Sequence, residues 1–231
     1  MIDFAEIRWL SFDCYGTLID WETGILDALR PLLAARGRNL SDDGILELYA
    51  QVEAREEAGE YRPYREVLES VVRRIAARLV LSIGEPEARV LVRTIGSWPP
   101  FADSVDALAR LKQRYKLAVI SNVDDDLFAG TAHLLGDPFD LVITAQQARS
   151  YKPSRHNFEL ALEKIGEPAG RVLHCAQSLY HDIPPAKELG MGAVWVDRRS
   201  GRHGQGATPA SSAIADLRVP DMKTLADLAL A

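Results

Sequence analysis

Five kinds of polar group recur along this 231-residue chain where short apolar runs stop. Asp13 ends the run from Ile7 to Phe12, and Gly16 and Thr17 follow it. Ser121 and Asn122 close Leu117-Ala-Val-Ile120, Lys152 precedes Pro153 beyond the run Phe139 to Thr144, and Asp182 lies beyond Val172-Leu-His-Cys175. An aspartate kept ionised in one rotamer is a nucleophile, and a covalent intermediate splits one hard displacement into two easier steps. A lysine beside it favours the charged form, so Lys152 is expected to lower the Asp13 pKa. Ser121 and Asn122, with backbone N–H groups nearby, can hold an anionic head. Taken singly, each residue has a plainer role: Asp13 as a turn or capping residue, Lys152 as a loop lysine. Their recurrence at successive strand ends favours chemistry.

The elements that must position these groups follow from periodicity. Residues 22–97 read as helices almost throughout, with Ile25, Leu26, Leu29, Leu32 and Leu33 at helical spacing in the first. Gly37 closes that helix, and Ser41-Asp42-Asp43 caps the next. A third runs from Tyr64 to about Leu81, and a fourth from Pro86 to about Gly96. Trp98-Pro99-Pro100-Phe101 reads as a linker. Beyond it, apolar runs near 117–120, 139–144, 172–175 and 193–196 alternate with helical segments, and Asp221 to Leu230 closes the chain. That alternation predicts an α/β fold: a Rossmann-like parallel sheet with helices on both faces. The first strand belongs to this sheet yet precedes the helical block. The expected organisation is therefore a core of residues 1–20 and 99–231, with an inserted helical cap domain of residues 21–98. The cap would cover the carboxyl edge of the sheet, where open α/β sheets bind ligands.

Composition narrows the classes. Hydrophobic residues at 47% suffice for a sizeable core, and a net charge of -6 without a basic face excludes nucleic acid as an expected partner. No stretch reaches the roughly 20 apolar residues of a membrane span. No charged segment leads into a long apolar run at the N-terminus, so no signal peptide is expected and a cytoplasmic location follows. Cys14 and Cys175 form no metal-ligand pattern and read as small buried thiols. Asp124-Asp-Asp126 reads as helix capping rather than a metal site. The basic run Arg198-Arg-Ser-Gly-Arg-His203 reads as a solvated loop. His174 reads as a packed core residue, His181 as a neighbour of the site, and the histidines show no ligand spacing.

Taken together, Phe12-Asp-Cys-Tyr-Gly-Thr-Leu18, Ile120-Ser-Asn122, Lys152-Pro153 and Gln177-Ser-Leu-Tyr-His-Asp182 resemble the haloacid dehalogenase superfamily. The resemblance spans nearly the whole chain, including the cap. Its phosphatases carry a second aspartate two positions after the nucleophile and hold Mg²⁺ near the fourth motif. Here Tyr15 stands at the first position and Gln177 where an acidic ligand is expected, and a hard dication prefers charged oxygens. Those departures resemble the metal-independent 2-haloacid dehalogenase branch, which implies no cofactor and a small carboxylate substrate. By that resemblance Asp13 attacks the α-carbon, and water then opens the aspartyl ester. Thr17 supports Asp13, and Asp182 orients Lys152 or the water. Ser121 and Asn122 hold the substrate carboxylate, with Tyr15 beside them. Arg55, six residues before Tyr61, matches the branch's halide-binding cap arginine. Phe158, Gln177 and Leu179 depart from the branch, which has hydroxyl or amide residues there. The alternative is a Mg²⁺-dependent phosphatase on small esters, and a third reading is a non-catalytic binding member. A homodimer is a further expectation.

Overall fold

The computed structural model describes residues 2–201 and 206–231. Strand β1 (Trp9–Phe12) is followed by the helices α1 (Trp21–Ala34), α2 (Asp42–Glu57), α3 (Tyr64–Arg78), α4 (Glu85–Ala88) and α5 (Val90–Thr94). Then come α6 (Ser104–Leu111), β2 (Lys116–Ser121), α7 (Asp125–Leu134), β3 (Leu141–Thr144), α8 (Ala145–Ala148) and α9 (Arg155–Ile165). The chain ends with β4 (Val172–Ala176), α10 (Ile183–Glu188), β5 (Gly192–Val196), β6 (Leu217–Val219) and α11 (Met222–Ala229). The sheet has six strands in the order β3-β2-β1-β4-β5-β6, and every pairing is parallel. This is the expected Rossmann-like α/β architecture with a helical cap inserted after β1.

Strands β2 and β4 are buried on both faces, which is why they read as continuous apolar runs rather than alternating ones. One face packs Ala118, Ile120 and Ile143 against Phe158 and Ala161 of α9. The other joins Leu10, Phe12 and Val119 to a larger cluster that continues into Tyr49, Leu68 and Val71 of the cap helices. The two chain crossings between sheet and cap lie side by side. Ile19 bridges Pro100 antiparallel, Asp20 N donates to Pro99 O at 2.8 Å, and Phe101 N donates to Leu18 O at 3.0 Å.

Ser41 caps α2 as expected, accepting from Gly44 N. The third helix ends at Arg78 rather than Leu81, and the fourth is broken into α4, α5 and a 3-10 turn over Ile95–Ser97. Strand β6 was not anticipated: it is three residues long, and exposed Arg218 interrupts its apolar pattern. Asp124 caps a different helix from the one it precedes. Its carboxylate accepts from Tyr64 N at 2.8 Å and Arg65 N at 3.0 Å, so it tethers the start of α3 across the cap. The basic run after β5 is also corrected. Arg198 is drawn inward, donating to Thr17 O at 3.0 Å, pairing with Asp103 at 2.8 Å and stacking over Phe101. Arg202 and His203 lie outside the described residues. Both cysteines are buried. Among the described residues no helix is long and apolar enough to cross a membrane.

Candidate active site

The sheet order reverses direction at β1, whose neighbours β2 and β4 lie on opposite sides, and a crevice opens at such a point beyond the carboxyl ends. Asp13 leaves β1 directly into it. The chain then turns at Gly16, where φ is +92° and an added Cβ would meet Trp21 Nε1 at 2.8 Å. Glycine is therefore required both for the backbone angle and for the close approach. The turn brings Thr17 back under Asp13. Thr17 Oγ1 donates to Asp13 Oδ2 at 2.6 Å and accepts from Gln177 N at 2.8 Å. Lys152 Nζ donates to Asp13 Oδ1 at 2.8 Å, to Asp182 Oδ1 at 2.7 Å and to Ile120 O at 2.9 Å. Both Asp13 oxygens thus have a donor, and one rotamer is held.

Burial raises the Asp13 carboxyl above its ordinary value, and Asp182 adds to the rise against the pull of Lys152 and Thr17. The lowering expected from Lys152 alone is therefore outweighed by desolvation. Burial opposes the Lys152 charge too, but Asp13 and Asp182 more than offset it and hold the ammonium above its usual pKa. Asp182 is also desolvated, yet Lys152 and His174 bring it down to about 2.

His174 is fully buried, as expected of a core residue, and it also backs the site through Asp182. Its Nε2 meets Asp182 Oδ1 at 2.9 Å, and its Nδ1 meets Ser11 Oγ at 2.9 Å. Asp182 is an acceptor, so Nε2 carries the proton. Ser11 and His174 are register partners in the β1–β4 pairing. Two polar residues inside otherwise apolar strands were the available signal. Phe158 lacks the hydroxyl of the resembled branch and packs edge-on against this imidazole, with ring centroids 5.1 Å apart.

The cleft above Asp13 draws together Asp13, Tyr15, Ser121, Asn122, Lys152 and Asp182. Thr17 lies beneath it. Ser121 Oγ is buried without a partner among the described residues, as is Asp182 Oδ2. Asn122 is committed: its Oδ1 accepts from Lys152 N at 2.8 Å, and its Nδ2 donates to Lys152 O and to Glu57 Oε2, both at 3.2 Å. Tyr15 turns its hydroxyl to Thr131 at 2.9 Å. Gln177 Oε1 accepts from Thr208 Oγ1 at 3.0 Å.

Arg55 is not in the cleft. It is exposed on α2 and lines a separate groove with Glu56, Arg74 and Arg78. Spacing along the chain could not reveal which helical face meets the sheet. The cap instead presents Glu53 and Glu57, one turn apart on α2, together with Tyr64. Glu53 Oε1 accepts from Tyr49 OH at 2.6 Å and Tyr64 OH at 2.5 Å. Burial pushes Glu53 up to about 7, and burial with repulsion from Glu53 raises Glu57 well above the carboxylate range. His181 Nε2 lies 4.0 Å from Glu57 Oε2, its Nδ1 meets Ser178 Oγ at 3.0 Å, and burial lowers its pKa to about 4.

A family model for haloacid dehalogenase-like hydrolases matches residues 7–190, spanning every group just described that touches Asp13. The chain belongs to the haloacid dehalogenase-like hydrolases. Among curated relatives of this hydrolase, haloacetate dehalogenase H-2 of Moraxella sp. (strain B) is 27% identical over 199 residues, covering 84% of this chain and 87% of that protein. An (S)-2-haloacid dehalogenase of Pseudomonas putida is 26% identical over 204 residues, covering 85% and 87%. The solved L-2-haloacid dehalogenase of Xanthobacter autotrophicus superposes with a TM-score of 0.80 at 23% identity, over 96% of this hydrolase and 98% of that chain. At that identity the likeness shows the fold.

Proposed function

We propose that this hydrolase opens a short 2-haloacid through an aspartyl ester on Asp13, giving a 2-hydroxy acid without a metal. The observation that carries the reading is the buried Asp13 carboxylate, held on one oxygen by Thr17 and on the other by Lys152. A carboxylate of raised basicity in a fixed rotamer is suited to attack carbon, because positioning converts a bimolecular step into a unimolecular one. An Asp13 oxygen forms a bond to C2 as the carbon–halogen bond breaks and halide leaves with the electron pair. Water then attacks the ester carbonyl carbon. The acyl–oxygen bond breaks with its electron pair on the departing oxygen, which takes one water proton to become the 2-hydroxyl; the other proton passes to solvent, Asp13 is regenerated, and the product is inverted at C2. Asp182 Oδ2 accepts a hydrogen bond from that water, and the unpaired Ser121 hydroxyl donates to the substrate carboxylate. The dehalogenating relatives support the substrate class. Tyr15 and Gln177, both engaged elsewhere, support a route without the second carboxylate that the phosphatases use.

The test is halide release from short 2-halo acids, with and without a remote amino group, both enantiomers of each, with EDTA present. One enantiomer should react, with EDTA tolerated, and Asp13→Asn should abolish the reaction. Failure to release halide from either enantiomer, or release that depends on added Mg²⁺, would sink the reading.

A further inference from the structure

The cleft above Asp13 is acidic beyond what the attack requires. Asp13, Asp182, Glu53 and Glu57 all line it, and Lys152 is the one lysine or arginine among the described lining residues. Lys152 is spent: its three donors go to Asp13, Asp182 and Ile120 O. The amide of Asn122, expected to receive a substrate carboxylate, already donates to the Glu57 carboxylate. Glu53 is built as an acceptor, since two buried phenols converge on one of its oxygens. Glu57 faces Asn122 and the imidazole of His181, whose second nitrogen is turned to Ser178. Among the described residues the cap wall thus brings no lysine or arginine to the cleft, and its donor left over is the Trp21 indole N–H. The core wall keeps a buried, unpartnered Ser121 hydroxyl, one pocket for a substrate's acidic end.

We propose that the substrate carries an ammonium-type cation, seated against Glu53 and Glu57 of the cap, at the end remote from the carbon that Asp13 attacks. The inference rests on the aspartyl-ester reading and names the substrate class within it. A plain 2-haloacid would bring a further negative charge into an acidic cleft where, among the described residues, no lysine or arginine is free to meet it. An amino-bearing acid brings its own counter-charge: its ammonium donates a charge-assisted hydrogen bond to the Glu53 carboxylate and a further hydrogen bond to an oxygen of the Glu57 carboxyl. The cap turns Arg55 outward and Glu53 and Glu57 inward, so it meets the cleft with acceptors rather than with a cation.

The test is calorimetric titration of the wild-type protein with butanoate, 4-hydroxybutanoate and 4-aminobutanoate at about pH 8, where Glu53 is ionised. The amino compound is expected to bind about 10- to 100-fold more tightly than butanoate. Glu53→Gln combined with Glu57→Gln should erase the difference. If the double variant does not fold, Glu57→Gln alone, which keeps the Glu53 bonds to both tyrosines, should still shrink it. Equal binding, tighter binding of either uncharged-tail compound, no binding of any, or a preference that survives the substitutions overturns the proposal. Halide release from 2-chlorobutanoate and 4-amino-2-chlorobutanoate separates the two levels. Equal or faster turnover of the unadorned acid removes the cation requirement and leaves the ester chemistry standing. No turnover of either, with the titration preference intact, removes dehalogenation and leaves the cation site standing.

Discussion

The imidazole of His174 meets the carboxylate of Asp182 at 2.9 Å, with both side chains at most 1% exposed. Asp182 also receives Lys152, so one carboxylate anchors two donors beneath the strand ends. A line of contacts therefore runs from Ser11 through His174 and Asp182 to Lys152 and Asp13. Rotation of Asp182 would carry Lys152 with it, and the Asp13 oxygen that Lys152 holds would lose its donor.

His174→Phe tests that line. The substitution fills the space but removes the donor to Asp182 and leaves Ser11 Oγ without its partner. Unfolding in urea should show a loss of about 1–3 kcal/mol, the cost of buried groups left unpaired. If His174 is a positioning residue, kcat for the preferred substrate should fall by roughly tenfold with KM little changed. A loss of stability with kcat intact would make His174 structural only.

Lys152→Met removes the single cation between two buried carboxylates. Breaking a buried pair in this way costs about 3–5 kcal/mol. Asp13 and Asp182 would each retain a proton to much higher pH, so turnover at neutral pH should be undetectable. Urea titration of the variant should show its stability recovering as pH falls, opposite to the acid loss expected from Asp182 in the native protein.

Glu53 makes stability depend on pH in a window of its own. Its carboxyl titrates at about 7 in the fold against 4.5 for the free side chain, because burial disfavours the charge more than Tyr49 and Tyr64 favour it. The protonated group is thus better tolerated in the fold. Its contribution is fully present below about pH 4.5 and is lost as pH rises through about 7, amounting to roughly 3 kcal/mol. The groups that face it are Tyr49, Tyr64 and Glu57. His181 runs the other way, losing stability as pH falls from 6.5 towards about 4. The comparison that isolates Glu53 is therefore native protein against Glu53→Gln: the variant should become relatively more stable as pH rises from about 5 to 8.

Arg55 and Asp124 separate the outer face of the cap from its seam. Arg55→Ala, on the exposed side of α2, should leave kcat/KM within about twofold and stability within about 0.5 kcal/mol. Asp124→Ala removes the acceptor for Tyr64 N and Arg65 N at the start of α3 and should cost about 1–2 kcal/mol. Since Tyr64 also bonds Glu53, KM should rise more than kcat falls, measured on the same substrate.

The sequence by itself determined the α/β order, the insertion of a helical block after β1, and the set Asp13, Thr17, Ser121, Lys152 and Asp182 at strand ends. These are local facts. A buried parallel strand needs a continuous apolar run, and the first polar residue past it emerges at the carboxyl edge. Only the tertiary structure decided which face of α2 looks into the cleft. That choice turned Arg55 out and Glu53 and Glu57 in, because helix rotation is set by what Val52 and Tyr49 pack against, and a list of residues does not contain it. The same holds for His174. Its polarity was legible inside an apolar strand, but its partners come from β1 and from the loop after β4, brought together by register. The pKa of Asp13 was also a tertiary outcome. Sequence could supply Lys152, whereas the desolvation that outweighs it arises only when the cap closes over the strand ends.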